Sequence, residues 1–142
     1  MSDERPIDLG RTIWVGPLTV LSAIGAVLVV RVGAVAALRL PPSTFQPLGW
    51  FFPIVDTLVL VTAAVIVFAF VARTAARPIR TYQRIALAAL VLSMIPDLQI
   101  HARRPDLFTW PRTAALMIMH VAAWWVTVTM LTRLTTCSRS GR

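Results

Sequence analysis

Four stretches of this chain are apolar for about the length that a bilayer demands. They run from Ile13 to Val30 with an extension to Leu38, from Phe51 to Val71, from Tyr82 to Leu98 and from Thr113 to Leu134. Eighteen helical residues reach about 27 Å, close to the roughly 30 Å of hydrocarbon in a membrane. Soluble domains are about 45–50% apolar and about 25% charged. Here the values are 57% and 14%, and the apolar excess is collected into these runs. The expected fold is all-α: an integral membrane, antiparallel four-helix bundle forming one domain over residues 13–134. A polar, disordered arm is expected over 1–12 and a polar tail over 135–142.

The segments between the runs have the chemistry of connections. "LRLPPSTFQPLGW" (38–50) carries three prolines and a glycine, and Trp50, Phe51 and Phe52 look like an interfacial aromatic anchor. "RTAARPIRTYQR" carries four arginines and no acid, and "QIHARRPDLFTWPR" follows the third run. The third run is the shortest and is expected to end at Pro96–Asp97. Pro17 falls in the first turn of a helix beginning at Ile13, where a missing N–H costs little. Ser22, Ala26, Gly33 and Ala37 are spaced to form a small-residue stripe for helix packing.

All fourteen basic residues are arginine, for a net charge of +8. Arginine without lysine, beside many Ala and Val, suggests a GC-rich bacterial genome and hence a bacterial plasma membrane. The arginines punctuate apolar runs instead of forming a stripe, so they set topology and do not indicate nucleic-acid binding. Nine arginines fall on the side of the termini and the middle loop, and five on the other. That count places both termini in the cytoplasm. A cleaved signal peptide is not expected. Asp3, Glu4 and Asp8 outnumber Arg5 and Arg11 at the start, and the first run exceeds the usual length of about 7–15 residues. The one cysteine, Cys137, permits no intramolecular disulfide and no CxxC site.

With this topology the unusual polar residues fall in the outer half of the bundle. Arg31 ends the first span, Asp56 lies in the outer third of the second, Asp97 is at the exit of the third, and His120 is about 10 Å into the fourth. Ionisable residues in spans face the bundle interior or a wet cavity and mark candidate sites. Arg31, Asp56, Asp97 and His120 are the candidate intramembrane cluster, and an Arg31–Asp56 pair between neighbouring helices is allowed. Each also has a plain structural reading, as a hydrogen-bonding or helix-end residue.

Metal and cofactor sites are not expected. Haem ligation by His101 and His120 is disfavoured because His101 lies nearer the surface. Met117 and His120 share a face, and thioethers suit Cu(I), but methionine in a span is usually packing. Trp124 and Trp125 lie mid-span; one ring is expected between helices and the other toward lipid, with a quinone stack as the alternative. No catalytic triad or phosphate loop is present.

"FQPLGWFFPIVDTLVLVTAAVIVFAFVAR", "ALAALVLSMIPDL" and "TAALMIMHVAAWWVTVTMLTRL", with its Met-His at 119–120, carry a family resemblance. The chain resembles domain-of-unknown-function family 6069, four-helix membrane proteins common in actinobacteria. The resemblance implies the fold and the membrane and brings no activity.

The expected function is that of a small multi-pass membrane protein without catalytic activity, an accessory or scaffold subunit. Its expected partners are lipid and either further copies of itself or a larger membrane complex. One alternative is a proton-coupled transporter or pore using Asp56 and His120. The other is a quinone- or haem-binding redox protein.

Overall fold

The computed structural model describes residues 7–39 and 49–136. These form α1 (Leu9–Leu38), α2 (Phe51–Thr74), α3 (Pro78–Arg103) and α4 (Trp110–Leu134). Among the described residues there is no strand, only an isolated bridge between Ile7 and Thr136. All four helices are long and apolar enough to cross a membrane. Each packs on its neighbours around an antiparallel ring, α1–α2–α3–α4 and back to α1, with α1 and α4 in the most extensive contact.

The ends of the helices follow local chemistry. Asp8 is extended and its carboxylate accepts from the Gly10 N–H at 2.9 Å, so α1 starts four residues before the apolar run. The expectation of an irregular arm over 1–12 is therefore wrong from residue 9 onward; residues 1–6 lie outside the described residues. Pro17 moves with this start. It sits inside α1, not in its first turn. Arg39 takes a left-handed conformation, with φ of 48°, and ends α1. The proline-rich part of the first loop, residues 40–48, and Cys137 lie outside the described residues. Three residues, 75–77, join α2 to α3, and Pro78 opens α3 at its first position, where its missing N–H costs nothing.

Helix α3 is longer than expected at both ends and runs straight through Pro96. The expected break at Pro96–Asp97 does not occur. In a membrane a proline is tolerated inside a helix where side chains, neighbouring helices or local backbone adjustment re-satisfy the freed carbonyl. The consequence is that Asp97 and His101, four apart, both stand on one helix.

Most large apolar side chains point outward, among them Ile13, Val29, Phe70, Leu92 and Trp125. In water such a surface would drive aggregation; in a bilayer it is solvated. What holds the helices together is then close packing and polar contact rather than exclusion of apolar surface from water.

On α1 the buried seam is Val15, Thr19, Ala23, Val27 and Arg31, each four residues from the last, with Thr12 and Gly16 beside it. This differs from the small-residue stripe expected at Ser22, Ala26, Gly33 and Ala37: Gly33 has open space around it. Small size does not report which way a helix is turned when its whole circumference is apolar. Gly16 is the small residue that matters for close approach, since a Cβ there would sit 3.0 Å from Val65 Cγ1.

The core divides along the bundle axis. In the half that carries the termini, Val15, Phe68, Val71, Tyr82, Val128 and Leu131 form one buried cluster. Tyr82 meets Phe68 edge to face at 4.9 Å. The chain ends are tied together there by a 2.8 Å hydrogen bond from the Asp8 N–H to the Thr135 carbonyl. In the distal half the buried cluster shrinks to Val27 and Met119 with partly buried neighbours.

Candidate functional site

The thin distal core leaves room. A cavity of about 570 Å³ opens there, between α2, α3 and α4 and against Val27 of α1. Val27, Pro53, Thr57, Val61 and Met119 are buried and form its floor. Exposed Phe52, Asp56 and Leu60 of α2 and Ile100 of α3 form a rim, so the opening lies along the α2–α3 side. Leu107 and Phe108, from the α3–α4 connection, close the far end.

Helical periodicity selects what faces this space. On α4 the lining residues are Leu116, Met119, His120 and Ala123, a single i, i+3, i+4, i+7 face. On α3 they are Asp97 and Ile100. His120 is ten residues into α4, about 15 Å from its start, and Asp97 is six residues from the end of α3, about 9 Å. The two meet across the α3–α4 contact, with Nε2 of His120 3.2 Å from Oδ2 of Asp97. Both side chains are mostly buried, at 21% and 15% exposed. The ring N–H is not aligned for a hydrogen bond, so Oδ2 of Asp97 is buried with unfilled acceptor capacity. A carboxylate in that position favours a donor or a positive charge beside it.

The four candidate residues are divided between two arrangements. Asp97 and His120 pair, and Asp56 lines the same cavity from its exposed rim. Arg31 is buried on α1 and does not line the cavity; its guanidinium lies over the Trp50 ring at 3.7 Å. That is a cation–π contact, which desolvation strengthens.

His101 is turned away from the cavity. Its Nδ1 meets the Phe108 carbonyl and lies 3.5 Å from the Thr113 hydroxyl, and its ring packs on Trp110 at 4.2 Å. It therefore holds the α3–α4 connection in place, and that connection supplies Leu107 and Phe108. Met117 is off the cavity face. Among the described residues no three His, Cys, Asp or Glu side chains gather as a metal-ion set. Trp124 packs on the terminal-half core while Trp125 is 64% exposed. Trp124 thus stands apart from the space that His120 faces.

Residues 8–136 match a family profile. The chain belongs to DUF6069, a family of unknown function. The matched segment begins at the helix cap Asp8 and ends at Thr136, so it takes in all four helices and the cavity. No curated protein and no solved structure matches the chain.

Two features of the site had little or no signal in the sequence. The cavity itself depends on helix rotation, which the nearly uniform apolarity of the spans conceals. The Asp97–His120 pairing needed α3 to continue through Pro96, and proline reads locally as a stop.

Proposed function

We propose that this protein is a non-catalytic accessory protein of a bacterial plasma membrane that holds an apolar small molecule in its distal cavity. The observation that carries the reading is the cavity: about 570 Å³, largely apolar, with three ionisable groups converging on it. Ligand sites are commonly concavities of about 300–1,000 Å³, lined by apolar side chains with a few placed polar groups. The mostly apolar lining with a few placed polar groups supports the binding reading. With both termini cytoplasmic, as the arginine distribution favours, the cavity opens into the outer leaflet.

Photolabelling with a neutral alkyl diazirine in nanodiscs tests this reading. Ile118 is 55% exposed and Met119 5%, so bilayer-dissolved probe reaches Ile118 while Met119 is reached through the cavity. Labelling of both is expected, with Met119 labelling lost in Ala123→Phe and Ile118 labelling kept. Labelling of Ile118 alone in the unaltered protein would sink the proposal.

A further inference from the structure

We propose that the cavity takes an apolar organic cation in exchange for the proton of His120. The inference rests on the binding reading above and adds the chemical class of the ligand and what its entry releases.

The geometry carries it in three steps. First, the cavity presents two carboxylates, Asp97 from α3 and Asp56 from α2. One basic group, His120 from α4, shares the space, 3.2 Å from Asp97. From α1 the lining residue is Val27, and Arg31, further toward the loop end, is engaged with Trp50. The α3–α4 connection contributes Leu107 and Phe108, and His101 is turned to the Phe108 carbonyl. Among the described residues, the ionisable side chains that line the cavity are therefore these three.

Second, Asp97 is only partly engaged. Its Oδ2 is within ion-pair distance of His120 yet lacks an aligned donor, and it lies at the cavity wall. A cation in the cavity would find this oxygen on one side and Asp56 at the rim.

Third, a poorly solvated site resists a change in its net charge. With imidazolium at His120 and both carboxylates ionised, the three groups sum to −1. Entry of a monovalent cation keeps that sum only if one proton leaves. The bond that breaks is Nε2–H of the imidazolium, whose electron pair stays on the neutral ring. The proton is taken up by buffer in the aqueous phase beyond the distal end of the bundle, and the cation takes its place beside Asp97. Low pH thus opposes binding and high pH favours it. The apolar floor of Val27, Val61 and Met119 selects a cation with a hydrocarbon body over a hydrated inorganic ion.

The test uses full-length protein in nanodiscs and decyltrimethylammonium, a permanent cation with no proton of its own. Its binding is read by protection of Met119 from the neutral diazirine, with Ile118 as the bilayer control. Proton release is read in weakly buffered solution. Apparent affinity is expected to rise with pH, at most about tenfold per pH unit where His120 is protonated in the empty cavity, with up to one proton released per cation, and to level off where the ring is already neutral. His120→Gln is expected to keep binding and lose the pH dependence and the proton release. Asp97→Asn is expected to lose cation binding while neutral labelling of Met119 persists, with Asp97→Glu restoring part of it. Asp56→Asn is expected to weaken binding and keep the slope. Cation binding with no pH dependence, or with the same dependence in His120→Gln, overturns the exchange. Labelling of Met119 that the cation never blocks overturns the exchange and leaves the binding reading standing. Failure of the neutral probe to reach Met119 overturns both.

Discussion

The two halves of this bundle are built from the same kinds of residue and packed differently. In the terminal half, Phe68, Tyr82 and Leu131 are sealed, at 0%, 1% and 0% exposed, and α1 and α4 are closed by the Asp8–Thr135 bond. Among the described residues, four buried polar atoms there have no hydrogen-bond partner: Thr12 Oγ1, Tyr82 Oη, Trp124 Nε1 and Thr127 Oγ1. In the distal half the helices leave a cavity, and the polar groups that face it include three ionisable ones, two of them paired. The lesson is that a membrane bundle does not need a continuous core. Lipid solvates its outside, so one well-packed half can hold the helices while the other encloses a cavity.

The largest expected effect tests whether the packing is as uneven as this. Leu131→Ala removes a fully buried side chain from the dense half and should cost about 2–5 kcal/mol. Met119→Ala cuts a side chain that already borders empty space, and should cost less than half as much. Unfolding in mixed micelles, followed by tryptophan fluorescence, measures both. Equal losses would mean that the distal half is as tightly packed as the terminal one.

A smaller effect sharpens the same contrast on one helix. Gly16→Ala places a methyl 3.0 Å from Val65 and should destabilise by about 1–3 kcal/mol. Gly25→Ala meets nothing within 4 Å, and should be neutral or stabilising by up to about 1 kcal/mol through helix propensity. If the two substitutions behave alike, α1 and α2 do not approach each other at Gly16 as closely as described.

The smallest effect concerns the unpaired groups. Tyr82→Phe removes a buried hydroxyl that has no partner and keeps the ring on Phe68. Stability in the same assay should be unchanged or raised by about 1 kcal/mol at most, since no hydrogen bond is lost. A loss above about 1 kcal/mol would show that the hydroxyl is satisfied, by water or by lipid.

The four helices and their membrane character could be read from the chain because the signal is length and apolarity, which are local properties. So could the concentration of Arg31, Asp56, Asp97 and His120 toward one end, since rise per residue converts sequence position to depth. The early start of α1 was missed: Asp8 reads as part of a polar arm, whereas its side chain caps the helix. Two of the failed expectations share one physical reason. The stripe at Ser22, Ala26, Gly33 and Ala37 and the break at Pro96 were both judged from residue type, without the neighbours that decide its effect.

By itself, then, this sequence determines that there are four helices long and apolar enough to cross a membrane, and toward which end of the bundle the ionisable groups lie. Those follow from hydrophobic length and backbone hydrogen bonding, which a helix satisfies within itself. Only the tertiary structure decides that Asp97 and His120 meet, that Arg31 turns to Trp50, and that the distal half encloses a cavity. Each depends on the rotation of one helix against another. Spans apolar on every side leave that rotation to side-chain packing, which is settled only when all four helices are in place.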